Sequence, residues 1–172
     1  DFRGLKMRIQ SSKVLEAQMR ALGAIPQVMA FSEVYQALQT GVVDGTENPP
    51  SNMYTQKMNE VQKHATLSNH GYLGYAVIVN KKFWDGLPAD ARGQLEKAMA
   101  EATTYANDIA QKENDDALAA MKKAGTTTFY TLTPEETAAW RKALDPVADE
   151  VGTRVGKDLI AEFRKEAAAS AK

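Results

Sequence analysis

Residues 5–45 alternate two periodicities in a fixed order, and that order restricts the fold more than any other feature of the chain. Leu5, Met7 and Ile9 alternate with Lys6, Arg8 and Gln10, the two-residue period of a strand with one buried face. Ser11 and Ser12 then offer a helix cap ahead of Leu15, Met19 and Leu22 at helical spacing, and Gly23 offers a stop. Residues 25–30 read as a second strand, residues 32–40 as a helix carrying Val34, Ala37 and Leu38, and Val42 and Val43 as a further extended piece ending at Asp44 and Gly45. Strand, helix, strand, helix predicts an α/β architecture built on a parallel sheet.

Downstream, Thr46, Glu47, Asn48, Pro49 and Pro50 leave regular structure, because the prolines remove donors and push Asn48 out of the helical region. A helix is expected over 51–63 and a buried strand over 72–80, an apolar run with aromatic and β-branched residues. Residues 88–123 keep an apolar face through Leu95, Met99, Ala102, Ala106, Ile109, Ala110, Ala117 and Met121, with no proline after Pro88. At 1.5 Å per residue such a helix runs ~50 Å, longer than one small domain is wide, so it is expected to cross more than one lobe. A short strand over 126–132 precedes Thr133, Pro134, Glu135 and Glu136, which combine an N-cap, a first-turn proline and a capping glutamate. Two or three helices follow, with Trp140 and Leu144, then Val147, Val151 and Val155, then Leu159, Ile160 and Phe163 as buried faces, and a fraying tail over 166–172.

Composition removes several function classes. The 172 residues carry 21 basic and 22 acidic side chains, well mixed, so no field favours nucleic acid or an anionic membrane. No run approaches the ~18 apolar residues of a membrane span, so direct insertion is not expected. Zero cysteines rule out thiol chemistry and disulfides, and a chain of this size buries roughly 70% of its unfolded surface without them. Neither the dinucleotide nor the phosphate-loop glycine pattern occurs, His64 and His70 lack partners at metal-ligand spacing, and the acidic pairs diverge on their helices. No metal, no cofactor and no catalytic residue is expected. Asp1 opens almost directly into a strand pattern, which suggests a fragment whose targeting segment lies upstream or has been removed.

Three residues stand out as binding candidates. Arg8 lies where a strand feeds a helix start, the place where open α/β sheets bind ligands and where amide donors favour anions. Its planar fork matches a carboxylate, although an exposed arginine paired with a surface acid has the same sequence signature. Asn48 would stand at the same sheet edge and can donate to one ligand oxygen and accept from a hydroxyl, or simply form the turn before Pro49. Phe31 is either a wall of that site or a staple for the helix after it.

These residues lie in longer runs. The first is Asp1 through Arg8 (DFRGLKMR); the second is Met29 through Pro49 (MAFSEVYQALQTGVVDGTENP), with further matching runs at 67–71 (LSNHG) and 83–88 (FWDGLP). Together they make the chain resemble the substrate-binding subunit of tripartite ATP-independent periplasmic transporters, of the C4-dicarboxylate-binding type. The resemblance implies a type II periplasmic-binding-protein-like lobe, with the parallel sheet flanked by helices, one very long lobe-crossing helix, and a first lobe largely missing. It implies that residues 1–73 and 114–165 form the second lobe and that 74–113 packs on the first. It further implies Arg8 as partner of the substrate carboxylate, with Asn48 and Phe31 as further contacts and Gln10, Ser11 and Tyr72 as specificity positions.

The expected function is therefore extracytoplasmic, periplasmic capture of a small organic carboxylate (a dicarboxylate, 2-oxo acid or sugar acid) for delivery to membrane permease subunits. Two alternatives stand beside it: a non-binding remnant that self-associates or exchanges elements through the uncovered helix, and a small α/β enzyme.

Overall fold

In the computed structural model, which describes residues 2–170, β1 (Lys6–Ile9) is the central strand of a parallel sheet. Ser12 closes α1 (Lys13–Ala21) by accepting from the Leu15 amide at 3.3 Å, and Gly23, at φ 82°, supplies the left-handed turn into β2 (Ile25–Val28). A short 3₁₀ turn over Phe31–Glu33 leads into α2 (Val34–Gln39), and β3 is the two-residue strand Gly45–Thr46. The order is β2-β1-β3, with Arg8 opposite Gln27 on one side and Thr46 on the other. Gly45 permits the close approach of β3, since a Cβ there would stand 2.9 Å from Met7 Sδ.

The sheet is covered on both faces, as a parallel sheet must be. Met7, Ile9, Met19 and Ala24 form one cluster with α1; Val34, Ala37, Leu38, Val43 and Met58 form another, against which Met29, Phe31, Met53 and Val61 pack. Half-burial was expected for β1, yet Met7, Arg8 and Ile9 are all buried. Val42 and Val43 are not a strand either. Their amides both donate to the Ala37 carbonyl, at 2.9 and 3.3 Å, and so complete the end of α2.

The helix expected over 51–63 is shorter: α3 (Pro50–Thr55) ends before Lys57, whose φ of 56° breaks the helical path, and a 3₁₀ turn follows at Met58–Glu60. A strand unforeseen in the sequence, β4 (His64–Leu67), comes next. The strand expected over 72–80 is absent. That stretch is irregular and exposed, with Tyr72 95%, Tyr75 80% and Ile78 89% accessible, because among the described residues no strand pairs with it. A strand needs a neighbour for its donors and acceptors. The short α4 (Lys81–Asp85) then precedes the long helix α5 (Ala89–Ala124).

The 36 residues of α5 span about 54 Å. Its C-terminal part buries Ala117 and Met121, and Asn114 Oδ1 accepts from the Ser51 amide at 3.1 Å; residues 93–108 are exposed throughout. β5 (Thr128–Thr131) pairs in parallel with β4, and Thr127, buried at its entrance, donates to the carbonyls of Asn59 and Gln62 at 2.9 and 2.8 Å. Thr133 and Glu136 close the expected capping box of α6 (Pro134–Val155), which continues through Pro146, and α7 (Lys157–Ser170) completes the described chain. Val147 and Val151 bury against Ala17 of α1, as the periodicity predicts. Val155, Leu159 and Phe163 are exposed, contrary to expectation: 42%, 46% and 69% of their surface faces out, because nothing described lies beyond α7 to cover them. The 166–172 tail continues α7 as far as Ser170, while Asp1, Ala171 and Lys172 lie outside the described residues.

Candidate functional site

Arg8 is 1% exposed in the middle of the sheet, which excludes the reading of a surface arginine. Alternation along β1 turns it away from Met7 and Ile9, toward the side where the chain leaves β2. There the Met29 carbonyl accepts from Arg8 Nε at 3.1 Å and from Nη2 at 2.8 Å, while the Met29 amide donates to the Ile9 carbonyl at 3.3 Å and so extends the parallel ladder. The guanidinium carbon lies 5.7 Å from the centre of the Phe31 ring, within cation–π range. Nη1 has no hydrogen-bond partner. Among the described residues it is the one buried side-chain nitrogen or oxygen so placed, and leaving a charged donor unsatisfied is costly.

The loop after β3 brings two further groups. Asn48 is half-buried, and its amide nitrogen is directed to Thr46 Oγ1 at 3.1 Å and to Met58 Sδ at 3.6 Å. Glu47 faces Arg8 electrostatically. Burial raises its carboxyl above the usual range, with the Arg8 charge pulling the other way, and burial likewise lowers Arg8, with Glu47 opposing.

Behind Glu47 stands His70. Its Nε2 is 3.9 Å from Glu47 Oε2 and its Nδ1 is 2.8 Å from Ser68 Oγ. The ring lies 5.9 Å from that of Trp140 on α6, which Phe2 meets edge-on at 5.3 Å, and burial lowers the His70 pKa. Asn69, at φ 46°, sets the turn that presents His70. Sequence reasoning set His70 aside as structural or solvent-exposed and gave Glu47 no role. The signal for Glu47 was there, an acid beside Asn48 directly after β3, but the approach of residues 47 and 70 is a product of folding.

The structure thus gathers Arg8, Phe31 and the Asn48 loop, three of the expected positions, at the carboxyl end of one sheet. Gln10 is half-buried just beyond β1, Ser11 is exposed, and Tyr72 stands in solvent without a described contact to Arg8. Two hollows lie elsewhere: one of about 420 Å³ along α5, lined by Ala100, Glu101, Thr104, Tyr105 and Asp108, and one of about 370 Å³ between α1 and α6. Arg8, Phe31 and Asn48 line neither. Among the described residues no group of three His, Asp or Glu side chains could hold a metal, and no helix is long and apolar enough to cross a membrane.

What the arrangement can do chemically is present a rigid, nearly desolvated cation to an anion, with an aromatic wall at its side. Comparison with known proteins agrees with that chemistry. The sequence profile described as "Bacterial extracellular solute-binding protein, family 7" matches residues 1–154. The C4-dicarboxylate-binding periplasmic protein DctP of Rhodobacter capsulatus is 76% identical over 164 residues, 95% of this chain and 49% of that protein. A periplasmic solute-binding protein from Shewanella oneidensis, solved with succinate bound, superposes with a TM-score of 0.92 at 42% identity, covering 94% of this chain and 53% of the other. One from Pseudomonas aeruginosa, solved with L-malate, gives 0.84 at 39% identity, covering 87% and 52%. The chain therefore spans about half the length of the relatives it matches.

Proposed function

Because this chain belongs to the bacterial extracellular solute-binding proteins of family 7, we propose that it forms the arginine-bearing lobe of a periplasmic protein that captures a small organic carboxylate. That family is one of substrate-binding transport proteins, not of enzymes. The observation that carries the reading is the buried Arg8 guanidinium, fixed on one edge by Met29 and unsatisfied at Nη1 beside Phe31. A C4-dicarboxylate is the favoured class, supported by the name of the Rhodobacter relative and by the succinate and L-malate held in similar structures.

The mechanism is binding alone, with no bond made or broken. The first lobe closes over the site and excludes water, so the ion pair at Arg8 is less screened than in solution. Phe31 bounds the pocket and the Asn48 amide adds a polar contact, while Gln10, Ser11 and Tyr72 tune the choice of acid. Residues 74–113 pack on that first lobe, which accounts for the exposure of Tyr75, Ile78 and the middle of α5. The closed protein then delivers its acid to membrane permease subunits. A chain left without that lobe associates with its own kind through the same apolar surface.

Calorimetric titration of the two-lobed protein with succinate tests the reading. Micromolar binding corresponds to about −8 kcal/mol, and Arg8→Lys loses at least about tenfold, because an ammonium cannot form the planar fork. Unchanged affinity in Arg8→Lys rejects Arg8 as the anchor.

A further inference from the structure

A guanidinium carries five N–H donors arranged along distinct edges, and the protein has already committed one of those edges. Arg8 Nε and Nη2 both donate to the Met29 carbonyl, at 3.1 and 2.8 Å, which occupies the edge that runs along the side chain. The Met29 peptide cannot swing away cheaply, since its amide is held by the Ile9 carbonyl at 3.3 Å and the next amide, that of Ala30, donates to Glu33 Oε2 at 3.2 Å. What remains is the far edge, formed by the outer hydrogen of Nη2 and by Nη1, whose hydrogens have no partner in a buried position.

From this we infer that the Met29 main-chain carbonyl is a positioning group for ligand capture: it holds Arg8 by the Nε/Nη2 edge so that the ligand carboxylate is taken end-on, through Nη1 and Nη2. The inference rests on Arg8 being the carboxylate anchor and adds which face of it is used. End-on docking sets the carboxylate in the guanidinium plane, alongside the Phe31 ring. It also leaves the Met29 bonds intact during binding, so the cation is oriented before ligand arrives and loses little freedom on capture. Nη1 has no solvent contact in the present conformation, so ligand entry opens the cover over it.

The test uses the two-lobed protein with ¹⁵N-labelled arginine, the Arg8 signals being assigned by their loss in Arg8→Lys. On saturation with succinate, the Arg8 Nε–H resonance stays near its ligand-free position, while the Nη hydrogens emerge from rapid exchange as separate, slowly rotating signals. An Nε–H shift as large as the Nη shifts overturns the inference, because the ligand has then displaced the Met29 carbonyl. If Arg8→Lys binds succinate as well as the parent, the anchor assignment fails and this inference falls with it, a different result from an Nε–H shift. A second measurement replaces the peptide bond between Met29 and Ala30 by an ester, with lactate for Ala30, making the carbonyl a weaker acceptor. Succinate affinity falls about fivefold, as expected for one weakened charge-assisted bond, whereas Glu33→Ala, which removes only the bond made by the Ala30 amide, leaves it unchanged. Wild-type affinity in the ester, or an equal loss in Glu33→Ala, overturns the role given to Met29.

Discussion

His70 Nε2 stands 3.9 Å from Glu47 Oε2, and the two side chains are about one-fifth exposed, 17% and 20%. The pair links the α6 face, through Trp140, to the carboxylate that faces Arg8. Its two members titrate with opposite signs. Glu47 has its pKa raised above 4.5 by burial, so the folded state holds the proton more tightly; that contribution is fully present below pH 4.5 and is lost as pH rises through the raised value. His70 has its pKa lowered below 6.5, so its contribution is present above pH 6.5 and is lost as pH falls through the lowered value.

Glu47→Gln and His70→Gln separate the two. The melting temperature of Glu47→Gln gains on wild type as pH rises above 4.5, whereas wild type gains on His70→Gln as pH rises toward 6.5 and then holds its lead. Melting curves between pH 4 and 8 read both differences. A pH-independent offset in either variant removes that residue from the linkage.

Met58, 0% exposed, is the deepest residue shared by the α2 cluster and the Asn48 loop. Met58→Ala costs about 2–5 kcal/mol through lost burial and the cavity left behind. Met58→Leu, which keeps the volume, costs less than about 1.5 kcal/mol. Val42→Ala, at a residue 57% exposed just after α2, stays within about 0.5 kcal/mol. Urea denaturation of the three variants ranks them, and a tolerated Met58→Ala contradicts the packing.

Thr133→Ala removes the side-chain acceptor of the Glu136 amide, 3.2 Å away, and costs about 1 kcal/mol. Glu136→Ala costs more, because the same carboxylate accepts from the Thr133 amide at 2.8 Å and from the Tyr130 hydroxyl at 2.8 and 2.9 Å, tying β5 to α6. Equal midpoints for the two variants in a denaturant series contradict that division.

Ile78, 89% exposed, separates the isolated chain from the two-lobed protein. Ile78→Asp leaves the melting temperature of the isolated chain unchanged and reduces the self-association proposed for it, read in sedimentation velocity. In the two-lobed protein the same change lowers the melting temperature, since it buries a carboxylate at the lobe contact proposed for residues 74–113. A neutral effect in both settings removes residues 74–113 from that contact.

Much of this was legible in residue order. The alternation at Leu5, Met7 and Ile9, the cap at Ser12 and the box at Thr133 and Glu136 are local signals, and the elements formed where they predict. So was the placement of Arg8, Phe31 and Asn48, each close to a junction between a strand and the next element. Periodicity misread the stretches whose partners are distant. The run over 72–80 has strand composition but no described neighbour to pair with, and the helix after Pro50 stops at a left-handed Lys57 that no propensity marks.

Local order thus determined the parallel α/β architecture and the presence of an arginine near the carboxyl end of β1, because those depend on side-chain period and chain direction. Only the tertiary structure decided that Arg8 is buried, that one of its edges belongs to Met29, and that Glu47 and His70 stand behind it. Those relations join residues 21 or more positions apart along the chain. Distance in space, which sets hydrogen bonding and desolvation, is not written in any window of sequence short enough to show a period.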